Sequence, residues 1–208
     1  MQIVDLYKTD FASLVDNIKR GKTLCYPTET IYGLGCIISN AQAIEKIYQI
    51  KSREKEKKFS ILFKDIKMVK KFCKLNAIEK DLIMKFTPGP LSILLKIKNT
   101  NLVLNSLIGE DSKINCRISS HPFVINLFEL LDVPIVSTSA NLSRDKNIFS
   151  FKTIYSTFHN LVDIIINAGD IKESLGSTIV EIENDGIKII REGDIKEKEI
   201  MVFLHGRN

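Results

Sequence analysis

The chain has 208 residues, of which 44% are hydrophobic and 26% are charged, and its net charge is +5. This composition is typical of a globular protein with a sizeable core, and one domain over 1–208 is the expected count. It excludes a strongly polycationic nucleic-acid tail but permits a local basic site.

Apolar periodicity and the positions of glycine and proline predict short interleaved elements. In chain order we predict a helix over 11–20, a strand over 23–26, a helix over 41–50, a strand over 59–63, helices over 67–75 and 78–86, a turn over 87–90, strands over 92–97 and 114–118, a helix over 122–131, strands over 135–136 and 164–166, and a hairpin of strands 178–182 and 187–190. The hairpin turn is predicted at Asn184-Asp185-Gly186. Because strands and helices do not alternate strictly, we expect an α/β fold with a mixed sheet.

Positive charge is concentrated in one stretch of the chain. Residues 46–74 carry eleven Lys and Arg side chains against three carboxylates, so this segment has a net charge of +8 and the remainder −3. A run of lysines is usually a solvated face, whereas Lys and Arg side chains beside a turn can bind phosphate. Charge alone does not choose between these interpretations.

The cysteines and histidines bear on compartment and metal content. Cys25, Cys36, Cys73 and Cys116 are widely spaced in apolar surroundings, which favours buried, reduced thiols. The three histidines have no ligand-like spacing, so no metal site made of protein side chains is expected. We also expect no secretory signal and no membrane-spanning segment, and the predicted location is the cytoplasm.

Standard nucleotide-binding signatures are missing from this sequence. It has no G-x-x-x-x-G-K-[ST] phosphate loop, and Gly33 and Gly35 lack the third glycine of a dinucleotide fingerprint. No G-x-S-x-G elbow is present. Phosphate binding would therefore depend on side chains rather than on a glycine-rich cradle.

Polar side chains gather at segments that follow predicted elements. Residues 26–35 combine hydroxyl groups, one carboxylate and two glycines, and residues 137–143 place five hydroxyl or amide side chains after a strand. Lys51, Arg53 and Lys57 follow a helix and suit a polyphosphate. Each segment alone is also typical of a polar turn or a helix cap. Together they predict a ligand site at the carboxyl ends of strands.

Seven motifs stand in one order: P-T-E-T-x-Y-G-L-G, K-x-R, T-P-G-P-L-S, R-x-x-x-H-P, S-T-S-A-N-x-S, G-S-T-I-V and R-E-G. This order resembles the YrdC/TsaC-type L-threonylcarbamoyladenylate synthases over about residues 23–193. The resemblance implies the short, single-domain form, a YrdC-like twisted mixed sheet with flanking helices, and a deep, concave, basic cleft.

The resemblance also implies a reaction and partners. L-Threonine, bicarbonate and ATP, with Mg²⁺, would give threonylcarbamoyl-AMP and pyrophosphate. The product supplies the threonylcarbamoyl modification of the adenosine 3′ of the anticodon in tRNA. A downstream tRNA threonylcarbamoyl-transferase complex is the implied partner, and direct contact with tRNA is left open.

Two sets of site residues follow from the resemblance. The implied threonine-binding residues are Thr30, Tyr32, Arg117, Ser137 and Ser177. The implied ATP-binding residues are Lys51, Arg53, Lys57, Ser139, Asn141 and Arg191. Lys51 and Arg53 are also the implied catalytic pair, acting by electrostatic stabilisation of phosphoryl charge, and no general base is assigned. On physical grounds, Arg117 can clamp a carboxylate with two hydrogen bonds.

Some positions depart from the family pattern. Glu54 follows Arg53 where proline is common, Lys58 follows Lys57, and Arg144 replaces the glycine that usually follows the S-A-N-x-S sequence. From these changes we expect loop shapes that differ from the family pattern, and Glu54 or Glu56 would partly neutralise a phosphate site. None of them removes a residue assigned to substrate.

Two other functions stay open. A double-stranded RNA or tRNA-binding module without catalysis would use the +8 segment, although no RNP-type aromatic pair or K-homology G-x-x-G loop accompanies it. A related carbamoyl-adenylate chemistry occurs in the YrdC-like domain of hydrogenase-maturation carbamoyltransferases, whose chains are normally much longer.

Overall fold

The computed structural model describes residues 1–142, 146–183 and 186–206. Arg144 and the serine that ends the S-T-S-A-N-x-S motif lie outside the described residues, as do Asn184 and Asp185 of the predicted turn. Within these ranges the α-helices are Phe11–Lys19 (α1), Ala41–Lys51 (α2), Ile66–Phe72 (α3), Ala77–Phe86 (α4), Pro122–Leu130 (α5), Phe151–Phe158 (α6) and Glu197–His205 (α7). The strands are Gln2–Asp5 (β1), Leu24–Tyr26 (β2), Gly33–Gly35 (β3), Ser60–Leu62 (β4), Leu91–Lys96 (β5), Lys113–Arg117 (β6), Ile135–Ser139 (β7), Ile164–Asn167 (β8), Thr178–Glu183 (β9) and Gly186–Arg191 (β10).

The described strands form one twisted mixed sheet in the order β1-β8-β2-β3-β7-β4-β6-β5-β9-β10. The pairs β1–β8, β2–β8, β4–β6 and β5–β9 are parallel. The other neighbouring strands are antiparallel. The predicted α/β class, with a mixed sheet and flanking helices, is confirmed.

Strand β7 joins the two halves of the sheet. Residues 135–137 pair with β4, and residues 138–139 pair with β3. The predicted end of this strand at Val136 is wrong, because the strand continues to Ser139. Ser137, Thr138 and Ser139, which were predicted to follow the strand, are therefore part of it, in the middle of the sheet.

Strand β3 lies in the polar segment for which the sequence predicted only a ligand loop or turn. Its two glycines, Gly33 and Gly35, allow it to fit between β2 and β7. A Cβ atom on Gly35 would lie 2.5 Å from the carbonyl oxygen of Val136 and 2.9 Å from the Tyr26 ring. Gly35 is therefore required here by close packing rather than by a turn, whereas a Cβ atom on Gly33 would come no closer than 3.3 Å to a neighbouring atom.

Three further elements, β1, α6 and α7, were also missing from the prediction. Strand β1 is mostly exposed and pairs with β8 alone among the described strands, so it carries no alternating apolar pattern. Helix α6 does have a helical signal in the sequence, because Phe151, Ile154 and Phe158 follow helical spacing.

The state of the cysteines and the character of the helices can be compared with the predictions. All four cysteines are free and buried, as predicted, and the sulfur atoms of Cys73 and Cys116 are 3.6 Å apart. Burial raises the pKa of Cys36 to about 12, which keeps this thiol protonated. Among the described residues, no helix combines the length and apolar character needed to cross a bilayer.

Candidate functional site

A cavity of about 100 Å³ lies over the middle of the sheet, where β3, β4, β6, β7, β9 and β10 contribute to its wall. Its charged lining consists of Arg53, Lys58, Arg117 and Arg191, and no described carboxylate lines it. Most of the remaining polar lining is hydroxyl groups: Thr28, Ser60, Ser137, Thr138, Ser139 and Ser177. Four positively charged groups without an acid in the wall favour an anionic ligand.

The register of the sheet explains why polar side chains meet in this cavity. Ser137 on β7 lies opposite Ser60 on β4, and Ser60 lies opposite Asn115 on β6. The amide nitrogen of Asn115 donates to the Ser60 hydroxyl at 2.8 Å. Arg117 lies two residues after Asn115, and thus on the same face of β6. Three neighbouring strands therefore carry the polar floor of the site.

Arg117 is fixed by the segment that precedes β3. Its Nη2 donates to a Glu29 carboxylate oxygen and to the Thr30 hydroxyl, both at 2.9 Å. The other Glu29 oxygen accepts a hydrogen bond from Ser119. Burial alone would raise the pKa of Glu29, but the Arg117 charge and these hydrogen bonds outweigh it and lower the pKa. Glu29 is therefore ionised, and it holds the guanidinium group at the cavity wall.

The Nε atom of Arg117 is buried and has no hydrogen-bond partner among the described residues. A buried donor without a partner is uncommon in proteins and costs free energy. Glu29 and Thr30 thus satisfy only part of this guanidinium group, and it retains donor capacity.

Arg191 lies on the opposite side of the site and contacts Ser177. Its Nε and Nη2 donate to the Ser177 carbonyl oxygen at 3.1 and 2.6 Å, and Nη2 lies 3.0 Å from the Ser177 hydroxyl. Burial, followed by the charges of Arg117 and Arg53, lowers the pKa of Arg191. The three arginines therefore repel one another across the cavity, and a bound anion would relieve this repulsion.

Arg53 is held by the loop that follows α2. Its Nε donates to the Lys57 carbonyl oxygen at 2.7 Å, and its Nη2 donates to the Lys58 carbonyl oxygen at 3.2 Å. The guanidinium carbon lies 5.4 Å from the centre of the buried Phe59 ring. Because Arg53 is hydrogen-bonded to the loop in which it lies, its guanidinium group is held in a fixed position.

Lys51 ends α2 and is only 1% exposed. Its Nζ donates to the Ser139 carbonyl oxygen at 2.6 Å, to the Asn141 carbonyl oxygen at 2.8 Å and to Asn141 Oδ1 at 2.9 Å. Burial and then the nearby Arg53 charge lower the pKa of Lys51 to about 7. Lys51 does not line the cavity, so it affects the cavity only through Ser139 and Asn141, whose oxygens it binds.

Two tyrosines support the same region. The hydroxyl group of Tyr26 donates to Ser137 Oγ at 2.9 Å, which leaves the Ser137 proton available for another partner. The hydroxyl group of Tyr32 donates to the Gly169 carbonyl oxygen at 2.7 Å and accepts from the Ala168 N–H at 3.1 Å. Tyr32 thus holds the segment after β8 and is not a lining residue of the cavity.

The structure brings together most of the residues predicted from sequence. The predicted residues that line the cavity are Arg53, Arg117, Ser137, Ser139, Ser177 and Arg191. Thr30, Lys51 and Asn141 lie one hydrogen bond behind them. Tyr32 and Lys57 lie elsewhere, and Lys57 forms an ion pair with Glu54 at 2.8 Å on the surface.

Sequence reasoning missed several residues of the site. Glu29 stands inside the P-T-E-T-x-Y-G-L-G motif but has no predicted role, although a carboxylate beside an anion-binding site has to be explained. Ser60 and Asn115 are found only through the register that places them opposite each other. Lys58 was noted only as a departure from the family pattern, yet it lines the cavity.

This geometry defines a class of protein. It is an α/β protein whose sheet carries a hydroxyl-rich, cation-lined cavity suited to a carboxylate and a polyphosphate. Over residues 1–142, 146–183 and 186–206, no cluster of three or more His, Cys, Asp or Glu side chains could hold a metal ion.

The chain belongs to the Sua5/YciO/YrdC family, whose model, described as "Telomere recombination", matches residues 16–193. A relative from Methanocaldococcus jannaschii, provisionally named a threonylcarbamoyl-AMP synthase, is 37% identical over 182 residues. This match covers 88% of the chain and 84% of the relative.

Solved structures show the same fold. The P. abyssi Sua5 structure in complex with L-threonine has a TM-score of 0.87 at 24% identity, and the match covers 97% of this chain. The chain spans 60% of the length of that Sua5 chain. E. coli YciO has a TM-score of 0.85 at 24% identity, covering 96% of this chain and 98% of YciO.

Proposed function

We propose that this chain is an L-threonylcarbamoyladenylate synthase, which forms threonylcarbamoyl-AMP and pyrophosphate from L-threonine, bicarbonate and ATP. The observation that carries this proposal is the cavity with Arg53, Lys58, Arg117 and Arg191 and no described carboxylate in its wall. ATP and bicarbonate are anions and L-threonine carries a carboxylate group, so such a wall suits a group on each of them. The similarity to the M. jannaschii relative supports the same activity.

In this proposal Arg117 binds the threonine carboxylate. Glu29 and Thr30 hold one end of its guanidinium group, and the fork geometry of arginine matches a carboxylate. Ser137 and Ser177 line the same cavity and can hydrogen-bond the threonine hydroxyl group. Thr30 contributes through Arg117, and Tyr32 contributes through the segment it holds after β8.

The nucleotide occupies the part of the cavity near Arg53, Ser139 and Arg191. The neutral amine nitrogen of threonine forms a bond to the carbon of carbon dioxide and loses a proton, which gives a carbamate. When bicarbonate reacts instead, one of its C–O bonds breaks and the hydroxyl group leaves as water with that proton. A carbamate oxygen then attacks the α-phosphorus, and the bond to the bridging oxygen of the β-phosphate breaks. Pyrophosphate leaves with that electron pair, and the fixed arginines stabilise the charge that develops.

Lys51 and Asn141 have an indirect role in this reaction. The Lys51 ammonium group is occupied by main-chain and side-chain oxygens of residues 139 and 141. Lys51 therefore positions Ser139, rather than contacting a phosphate group itself. This revises the catalytic role that the sequence implied for Lys51.

Mg²⁺ enters as part of the ATP substrate in this proposal. The cavity wall offers hydroxyl groups but no described carboxylate, and Mg²⁺ in such sites is held largely by substrate phosphates and water. The protein's own contribution is to bind the resulting complex through its arginines.

The cellular context follows from the proposed product. A threonylcarbamoyl adenylate is reactive, so a tRNA threonylcarbamoyl-transferase complex is the proposed consumer, with the adenosine 3′ of the anticodon as the final acceptor. Direct tRNA contact and the cytoplasmic location stay predictions from the sequence.

Purified protein with MgATP is expected to release pyrophosphate only when both L-threonine and bicarbonate are present. The reason is that the attacking oxygen belongs to the carbamate, which neither compound forms alone. A coupled pyrophosphate assay, with mass spectrometry of the adenylate, measures this directly.

Two controls separate the alternatives for function. Equal turnover with carbamoyl phosphate and no threonine would favour the hydrogenase-maturation type of chemistry. Tight binding of double-stranded RNA without any pyrophosphate release would favour the binding module. Either result would overturn the proposed function.

Arg53→Ala is expected to raise the KM for ATP by on the order of 10²-fold and to change the KM for threonine less than threefold. The reason is that the loop fixes this guanidinium group at the cavity wall, and losing a charge-assisted contact costs about 2–3 kcal/mol. Steady-state kinetics at saturating co-substrate test this. Lys55→Ala is the matched control, because Lys55 pairs with Glu45 on the surface. Equal effects of the two variants would contradict the assignment.

A further inference from the structure

Two adjacent lysines, Lys57 and Lys58, lie in different environments. The Lys57 side chain is 57% exposed, and its Nζ lies 2.8 Å from the Glu54 carboxylate. Lys58 is half-buried and lines the arginine-bearing cavity. The resemblance to the family pointed to Lys57 for nucleotide binding, but only Lys58 faces the cavity.

The backbone fixes which lysine faces inward. The carbonyl oxygens of Lys57 and Lys58 both accept hydrogen bonds from Arg53. The next residue, Phe59, is buried, and its ring packs against the tilted Tyr48 ring with the two ring centroids 4.1 Å apart. On the other side, Lys58 Cγ lies 3.9 Å from the position a Cβ atom would take on Gly109. Lys58 is thus packed between two loops, with its direction set by the chain before and after it.

Lys58 also marks a boundary between two regions of opposite charge. A second cavity, of about 440 Å³, shares Lys58, Asn115 and Ile179 with the first. Five carboxylates line this second cavity: Glu56, Glu110, Asp111, Glu181 and Glu183. Lys113 and Lys188 also line it and form ion pairs with Glu181 and Glu183, so the acids still outnumber these two lysines. None of the five carboxylates, nor any other described carboxylate, is recorded within 4.0 Å of Lys58 Nζ. Phosphate groups would be repelled from the acidic side and retained on the arginine side.

We propose that Lys58, and not Lys57, is the lysine that binds the phosphate groups of the nucleotide. This inference rests on the proposed function for its choice of ligand. A lysine on a flexible stem adds a mobile point charge to three arginines that the fold holds in place. It sits where the cationic wall ends, so it would bind the outer phosphate groups and the departing pyrophosphate.

The chain offers a matched pair for the test, because Lys58→Gln and Lys57→Gln remove the same charge at neighbouring positions. Isothermal titration calorimetry with MgATP and with inorganic pyrophosphate measures binding without turnover. We expect Lys58→Gln to weaken both ligands by about tenfold or more and Lys57→Gln to change them less than twofold. Lys58→Arg, which keeps the charge, should recover most of the affinity. Thermal unfolding of each variant checks that the fold is unchanged.

Each outcome bears on the inference separately from the proposed function. If Lys57→Gln weakens pyrophosphate binding as much as Lys58→Gln, or if neither variant changes it, the inference is overturned. If Lys58→Gln alone weakens pyrophosphate binding but the wild-type protein makes no threonylcarbamoyl-AMP, the phosphate site stands and the proposed function fails.

Discussion

Arg117→Met is expected to lower kcat/KM for L-threonine by on the order of 10³-fold while the KM for ATP changes only a few-fold. In the proposed complex the guanidinium group of Arg117, a buried residue, binds the threonine carboxylate. Losing a buried charge-assisted pair of this kind costs about 4 kcal/mol, which corresponds to this factor. Kinetics with each substrate varied in turn measure the difference.

Glu29 provides the control that keeps this prediction testable. Arg117→Met alone leaves the Glu29 carboxylate buried without its cation, which can prevent folding. Arg117→Met combined with Glu29→Gln removes both charges, so the double variant is expected to fold and still lose threonine use. Glu29→Gln alone should cost about tenfold, because Arg117 keeps its charge but loses an anchor. A double variant that folds and uses threonine normally would refute the assignment of Arg117.

The sequence was sufficient to predict the fold class and the principal cations of the site. Local signals, such as proline at the start of α5 and glycine after α1, mark element ends because they act within a few residues. Arg53, Arg117 and Arg191 lie far apart in the chain, and their order among the motifs, rather than any local pattern, indicated that they belong to one site.

The remaining features depend on tertiary contacts that no local pattern encodes. Gly33-Leu34-Gly35 has no strand signal of its own and becomes a strand because β2 and β7 pair with it from both sides. The hydrogen bonds of Arg53 to the loop decide which lysine faces the cavity, Lys57 or Lys58. If the loop were shifted by one residue, the other lysine would face it. The role of Lys51 likewise depends on where the end of β7 lies relative to α2.

Lys51→Met is expected to destabilise the protein by about 2–4 kcal/mol and to lower kcat by on the order of 10²-fold. Methionine replaces the stem of the lysine but removes the Lys51 hydrogen bonds to the carbonyl oxygens of Ser139 and Asn141, while Asn141 Oδ1 still accepts from the Ser139 hydroxyl. Unpaired buried polar groups cost about 1–3 kcal/mol each, and a small displacement of Ser139 disturbs the cavity wall. Urea denaturation and steady-state kinetics measure the two effects. Lys64→Met is the control, because Lys64 pairs with Glu129 near the surface.

The pH dependence of stability tests the same lysine in a second way. The pKa of Lys51 falls from 10.5 to about 7 on folding, so between these values the unfolded chain binds more protons than the folded one. The free energy of unfolding of the wild-type protein should therefore rise with pH across this window, relative to Lys51→Met, by up to about 1.4 kcal/mol per pH unit. Below pH 7 the difference between the two proteins should be constant. A difference that stays flat from pH 7 to pH 10 would show that the three oxygens keep the ammonium group protonated, and it would contradict the lowered pKa.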